Sequence, residues 1–389
     1  MRDALEGSQA IARAVGMCRP GVVAAYPITP QTHIVENISK LVADGALHCE
    51  LVSVESEFSA ASVVLGAAAA GSRAYTASSS QGILLMAEVV YDIAGMRLPV
   101  VMTCANRAVS APINIWNDHQ DSMAVRDSGW IQIHCTDNQQ AVDTTIQAFR
   151  IAQDLDLPVM VCVDGFVLTH TLETLDMPDQ ETVDRYLPEP AFARRLDSAN
   201  PLSMGTLVGP DYFTEIRHVQ HRASCRALDV IAAADRDWQA LTGRASGGLL
   251  TVDGDPDAKI GVLAMGSVVS TFREAMETLP GGKKAKLINL RTFRPFPAQA
   301  LIDACAGLRH LVVVDRSLSP GLGGILATEV KAALADGPKM PKIHAVALGL
   351  GGRDVPMEAW TRLVALAKDA PEPFHILDLD PAKLDPADL

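Results

Sequence analysis

The chain contains no pair of cysteines close enough to form a CxxC motif. Its seven, Cys18, Cys49, Cys104, Cys135, Cys162, Cys225 and Cys305, are scattered over 389 residues. That spacing argues against a zinc or iron–sulfur site built from one local segment, and no metal ligand set is read in this chain. Most of the cysteines sit in apolar runs such as Val100-Val101-Met102-Thr103-Cys104 and read as buried free thiols. No apolar run of 18 residues escapes polar interruption, so no transmembrane span is expected. Met1-Arg2-Asp3-Ala4-Leu5-Glu6 carries no signal-peptide pattern, and the cytoplasm is the expected location. Basic residues are in deficit, 33 against 46 acidic, for a net charge of −13. Nucleic acid needs a basic face and is excluded as a partner; a solvated acidic surface accounts for the charge. Aromatics are only 5% although 48% of residues are hydrophobic. The core is therefore built of Ala, Val, Leu and Ile, as in layered α/β proteins.

What is present alternates strand-like and helix-like segments. Residues 7–18 carry Ala10, Ile11, Ala14 and Val15 on one helical face, and a strand over 21–26 follows. Next come a helix around 31–44, a strand Leu51–Val54, an Ala-rich helix Glu57–Ala70, a strand Ala74–Ala77 and a helix Ile83–Ala94. Leu98–Cys104 and Pro158–Val163 are continuous apolar runs, as expected of strands buried on both faces. This βαβα order predicts a doubly wound parallel-sheet domain over 1–175. Residues 176–257 are richer in charge, Pro and His, with weak periodicity, and read as a surface excursion and linker. The α/β pattern restarts at Ile260–Met265, which predicts a second, smaller α/β domain over 258–389.

The most informative stretch is Tyr26-Pro27-Ile28-Thr29-Pro30-Gln31, directly after a predicted strand. Two prolines fix their own φ and restrict the residues before them, holding Ile28-Thr29 in a stiff turn. Open α/β sheets place ligands at such carboxyl ends, and a rigid turn presenting a hydroxyl suits a small carboxylate or carbonyl. A plain strand-ending turn is the competing reading. Glu57 opens the Ala-rich helix: its carboxylate either complements the helix dipole or is a partly buried acid with raised pKa, able to share a proton with a ligand nitrogen. Ser78-Ser79-Ser80-Gln81 and Asn106-Arg107 also follow strands. Arg107 offers a planar fork to a carboxylate, or else makes a structural ion pair. His119 reads as a group titrating near neutral pH or as a hydrogen-bonding node among its acidic neighbours. Gly321-Leu322-Gly323-Gly324 lacks the final glycine of GxGxxG and reads as a tight turn. Gly254-Asp255-Pro256 is not the GDG that opens a magnesium–diphosphate motif, and no paired asparagines follow. Thr29, Glu57, Ser78–Gln81 and Arg107 all fall on one predicted rim, and that shared placement raises each of them above its bland alternative.

Tyr26-Pro27-Ile28-Thr29-Pro30, Ser56-Glu57, Ser79-Ser80-Gln81-Gly82, Arg107-Ala108-Val109-Ser110-Ala111-Pro112, Asn117-Asp118-His119-Gln120-Asp121, Asp164-Gly165-Phe166 with His170, Arg294-Pro295-Phe296-Pro297 and Asp315-Arg316-Ser317 come in an order that resembles the α subunit of pyruvate:ferredoxin and related 2-oxoacid:acceptor oxidoreductases. The resemblance spans nearly the whole chain. It implies a thiamine-diphosphate pyrimidine-binding domain followed by a transketolase C-terminal-like domain. It also implies an enzyme active only with β-, γ- and δ-type partner subunits. A β subunit would hold the diphosphate and Mg²⁺, and [4Fe–4S] clusters would lie on partner chains. Glu57 would hydrogen-bond the cofactor's N1′ and promote its imino form. Thr29 would bind the substrate carboxylate or carbonyl, and Arg107 would pair with the carboxylate. Pro27, Ile28, Ser80 and Gln81 would line the cofactor. CoA would collect the acyl group, with ferredoxin as electron acceptor.

The segment 107–116 looks more like the pyruvate enzymes than the 2-oxoglutarate ones, since no second arginine adjoins Arg107. Phenylglyoxylate, with NAD reduced through a flavoprotein, is the alternative substrate system. A non-catalytic assembly subunit and a self-sufficient transketolase-like enzyme are the rival classes. The divided site has a direct check by calorimetry: the chain alone is expected not to bind thiamine diphosphate and Mg²⁺ tightly, and tight binding would mark a self-sufficient enzyme instead.

Overall fold

Residue-by-residue alternation along buried strands sets the architecture. In Val159–Asp164, Val159, Val161 and Val163 join one apolar cluster while Met160 and Cys162 join another. Such a strand needs helices on both faces. The computed structural model describes residues 2–192, 194–369, 374–385 and 387. The chain forms two compact units.

The first unit comprises Met1–Thr251 with Met265–Ser267 and Leu290–Pro297. In chain order it holds β1 (Arg2–Glu6), α1 (Gly7–Met17), β2 (Val22–Ala25), α2 (Thr32–Ala43), β3 (Glu50–Ser53), α3 (Glu57–Ala69), β4 (Ala74–Ser78), α4 (Ser80–Leu85), α5 (Ala87–Gly95) and β5 (Val100–Asn106). It continues with α6 (Gln120–Ala124), β6 (Ile131–His134), α7 (Asn138–Leu155), β7 (Val159–Asp164), β8 (Leu172–Asp176), α8 (Gln180–Tyr186) and α9 (Pro210–Thr242). With β12 (Thr292–Arg294) at one edge, the seven-stranded sheet runs β12-β6-β7-β5-β4-β2-β3 and is parallel except at that edge. There β12 is antiparallel to β6. Ile11 of α1, Ile146 and Phe149 of α7, and Ile231 and Trp238 of α9 cover one face; Val64 of α3 and Val90 and Ile93 of α5 cover the other. β1 and β8 form a separate antiparallel ribbon.

The second unit comprises Val252–Ala264, Val268–Asn289 and Ala298–Leu389. Its sheet, ordered β15-β14-β13-β10-β11-β9, uses β9 (Leu250–Gly254), β10 (Ile260–Ala264), β11 (Lys286–Leu290), β13 (His310–Asp315), β14 (Lys342–Ala347) and β15 (Phe374–Ile376). Helices α10 (Val268–Thr278), α11 (Ala298–Ala304), α12 (Ile325–Ala335) and α13 (Glu358–Asp369) accompany it. Val262, Phe272, Val312 and Trp360 share its core. The Gly321–Gly324 segment is a turn: the buried Asp315 carboxylate accepts the Leu326 and Ala327 N–H groups at 2.6 and 3.1 Å. A side chain of the protein thus fills the helix N-terminus that a phosphate would occupy. Among the described residues no helix is long and apolar enough to cross a membrane.

Three expectations change. Residues 176–257 are not merely a surface excursion and linker, because α9 is 33 residues long and buries Ala223, Ala227, Ile231, Ala234 and Trp238. Its buried stripe also contains Gln220 and Asp235 and is otherwise rich in alanine, so its apolar contrast along the sequence is weak. Arg294-Pro295-Phe296-Pro297, assigned by sequence to the second domain, belongs to the first unit through β12. The expected helix Ile83–Ala94 breaks at Met86 into α4 and α5. Since Trp238 is fully buried, with its ring 4.9 Å from that of Tyr186, Trp238→Ala should cost about 3–5 kcal/mol of stability, read as a lowered melting temperature of the first unit.

Candidate functional site

Strands β7, β5, β4, β2 and β3 are neighbours in the sheet and run parallel, so their carboxyl ends form one rim. The chain leaves β2 toward β3 on one side and leaves β4 toward β5 on the other. The topological switch point therefore lies between β2 and β4, where a ligand crevice is expected. The Pro loop follows β2 and Ser79–Gln81 follows β4.

The Pro loop is locked from below. Ile28 N–H donates to Gln31 Oε1 at 3.2 Å, and Gln31 N–H returns a bond to the Ile28 carbonyl at 2.8 Å. Pro30 and Gln31 are buried, Ile28 is half-buried, and Pro27 and Thr29 are exposed on the rim. Arg107 reaches across: its Nη1 donates to the Thr29 carbonyl at 2.9 Å and its Nε to the Asn114 carbonyl at 3.2 Å. Thr29 and Arg107 are thus joined directly, through the backbone of Thr29, which is itself an exposed residue. Burial lowers the Arg107 pKa, against the opposing charge of Asp121.

Asp121, whose role the sequence left blank, ties the strand ends together. Its carboxylate accepts from Ser80 N–H at 2.9 Å, Arg107 N–H at 2.9 Å, Asn106 Nδ2 at 2.8 Å and Ser122 N–H at 2.8 Å. Burial pushes its pKa up to about 7 against the pull of these donors. Ser80 sits at φ +50 and donates its hydroxyl to the Ala108 carbonyl, so that side chain is committed internally. Gln81 keeps a buried Nε2 without a partner among the described residues.

Two carboxylates near the start of α3 have different fates. Glu55 is exposed and accepts from Ser59 Oγ at 2.7 Å. Glu57 is only 7% exposed, and among the described residues no side chain or backbone group donates to it. Ser56 caps the helix by accepting the Ser59 N–H, so Glu57 does no capping. Its carboxylate lies against Gly82, where an added Cβ would come 2.7 Å from Glu57 Oε1 and 2.4 Å from Ser78 Oγ. Ser78 Oγ is also buried, without a partner among the described residues. Leaving buried polar groups unmatched costs free energy, so an unpartnered pair on a rim is the arrangement a ligand would complete.

His119 is a buried hydrogen-bonding node. Its Nε2 lies 2.8 Å from Asp164 Oδ1, and Asp164 Oδ2 accepts the Ser267 N–H at 2.9 Å. Asp164 ends β7, and its neighbour Gly165 packs so closely on the Asn106 carbonyl and Pro30 that a Cβ would lie 2.4 and 2.6 Å from them. Ser78, Gly82 and Asp121 acquire their roles only from the folded rim; the sequence signals were the strand-end position of Ser78 and the resemblance motifs that contain Gly82 and Asp121. A pocket of about 600 Å³ near Arg13, Asp176 and Arg244 contains none of these rim residues.

The family model "Pyruvate flavodoxin/ferredoxin oxidoreductase, thiamine diP-bdg" matches residues 13–236, and "Pyruvate:ferredoxin oxidoreductase core domain II" matches 258–359. The chain is 43% identical over 369 residues to pyruvate synthase subunit PorA of Methanosarcina barkeri, covering 94% of this chain and 92% of that one. It is 39% identical over 357 residues to ketoisovalerate oxidoreductase subunit VorA of Pyrococcus abyssi, covering 91% and 90%. The fold matches a structure of 2-oxoglutarate:ferredoxin oxidoreductase from Magnetococcus marinus with a TM-score of 0.73 at 18% identity, over 95% of this chain. The chain spans 65% of the length of that one. Asp121→Asn should strand two buried N–H groups at about 1–3 kcal/mol each, and a melting temperature equal to that of the unaltered chain would remove Asp121 from the centre of the rim.

Proposed function

The chain belongs to the pyruvate flavodoxin/ferredoxin oxidoreductase family, and from that we propose that it is the α-type subunit of an enzyme oxidatively decarboxylating a 2-oxoacid, pyruvate above others, to an acyl-CoA and CO₂ with electrons passed to ferredoxin. The observation that carries the proposal is the Glu57 carboxylate, buried at 7% exposure, without a donor and backed by Gly82. Thiamine diphosphate fits there, because its aminopyrimidine offers the ring nitrogen that Glu57 lacks as a partner. When bound, the cofactor supplies the electron sink for the pair left by CO₂.

This chain's residues would then divide the work. Glu57 shares a proton with the pyrimidine nitrogen at its carboxyl oxygen. Pro27 and Ile28 form a stiff wall, and Gln81 Nε2 is an available donor. Thr29 presents its hydroxyl to the oxoacid. Arg107, with two of its three nitrogens on backbone carbonyls, turns its charge and its Nη2 end toward the substrate carboxylate. Holding the loop and the cation in one clamp orients the carboxylate for loss as CO₂. The relatives named pyruvate synthase and ketoisovalerate oxidoreductase support an aliphatic oxoacid over an aromatic one.

The divided site supports partner chains. The sequence shows no motif for holding a diphosphate and metal, so a β-type subunit would supply both, and γ- and δ-type chains the [4Fe–4S] clusters. Exposed apolar side chains on the site-bearing segments fit such a partner: Tyr26 on the Pro loop, Phe58 on α3, Leu84 and Leu85 on α4, and Ile113 and Trp116 beyond Arg107. The complex would work in the cytoplasm. In the complete complex, Glu57→Gln should reduce pyruvate-dependent ferredoxin reduction by about 10²–10⁴-fold with assembly intact. Unchanged turnover would sink the catalytic reading and favour an assembly subunit.

A further inference from the structure

Away from the strand rim, three residues distant in sequence converge on one point of the first unit. Glu6 ends β1, His33 lies in the first turn of α2, and His170 precedes β8. His33 Nδ1 is 2.8 Å from Glu6 Oε1, and the His33 and His170 ring centroids are 4.6 Å apart. One potential ligand atom from each lies within 4.8 Å of the other two. Four-coordinate bonds of about 2.0–2.1 Å put ligand atoms roughly 3.3 Å apart, so the three must draw somewhat closer together to close around an ion.

A built surround distinguishes this cluster from a chance ion pair. The Thr169 hydroxyl lies 2.7 Å from His170 Nδ1 and accepts the Phe166 N–H at 2.9 Å. That contact leaves Nε2 as the ligating nitrogen, the outer-shell pattern of metal-binding histidines. Ser8 N–H and Ser8 Oγ both donate to the Thr169 carbonyl, at 2.9 and 2.7 Å, fixing the backbone beside His170 to the segment just after Glu6. All three side chains are partly exposed, so an ion has a way in.

We propose that Glu6, His33 and His170 form a binding site for a divalent transition-metal ion of the Zn²⁺ class. Two imidazoles and one carboxylate suit such an ion better than Mg²⁺ or Ca²⁺, which take oxygen ligands. The ion clips the first turn of α2 to the β1–β8 ribbon. Because α2 begins directly after Thr29-Pro30-Gln31, the clip steadies the Pro loop from behind. Phe166, whose ring is 4.7 Å from His170 and 6.1 Å from Trp116, extends the contact toward the Arg107 loop.

The test titrates Zn²⁺ into the full-length chain, stripped with EDTA, in competition with a chromophoric chelator and excess Mg²⁺. One Zn²⁺ per chain is expected. Thr169→Val should weaken binding by about 10–100-fold, and His33→Gln and His170→Gln by more. No Zn²⁺ held by the unaltered chain, or binding untouched by either histidine substitution, overturns the site. If the variants do not fold, X-ray absorption of the Zn²⁺-loaded unaltered chain decides. Nitrogen and oxygen scatterers at about 2.0–2.1 Å with two imidazoles support the proposal, and a sulfur shell near about 2.3 Å overturns it by placing the ion on cysteine.

Discussion

The site stands on one buried carboxylate. Asp121 accepts from Ser80, Asn106, Arg107 and Ser122, and those four donors come from the first residue of α4, the end of β5, the residue after it, and the middle of α6. Without it, the N–H groups of Ser80 and Arg107 would point into a dry interior. With it, Ser80 can hold its left-handed backbone and Arg107 leaves its strand at an angle that reaches the Thr29 carbonyl. The Pro loop, stiff in itself, thereby gains a fixed distance from the guanidinium. Two rigid pieces tied through one knot hold a small ligand better than either alone.

The contrast between Glu55 and Glu57 shows how local geometry separates chemically equal groups. They lie two residues apart at the same helix entrance. Glu55 is solvated and bonded to Ser59, while Glu57 turns inward against Gly82 and meets no donor. Helix-dipole complementarity, the bland account of both, is a surface effect worth roughly 0.3–1 kcal/mol, and it explains neither the burial nor the missing partner of Glu57. A glycine at 82 is what makes room, since a methyl group there would push on Glu57 and Ser78 together.

Much of the rim was legible beforehand because its signals are local. Two prolines stiffen Thr29 wherever the chain goes, and continuous apolar runs announce β5 and β7. Helix α9 was not legible because its buried stripe mixes alanines with Gln220 and Asp235. Strand β12 is three residues long and takes its place only by pairing with β6, far back in the chain. Gly82 and Asp121 stand within motifs of the family resemblance, but their physical roles do not show in one dimension, because their partners come from other strands. The same holds for Glu6, His33 and His170, whose spacing matches no metal motif.

The sequence by itself determined the class of fold, the parallel rim, the stiff loop at Thr29 and the family resemblance, because periodicity, proline and motif order act over short stretches. Only the tertiary structure decided which carboxylate lies buried without a donor, which cation grips the loop, and which distant residues meet. Those outcomes depend on burial and on hydrogen-bond partners supplied by remote segments. A carboxylate's environment is a property of the packed interior, and no local pattern encodes it.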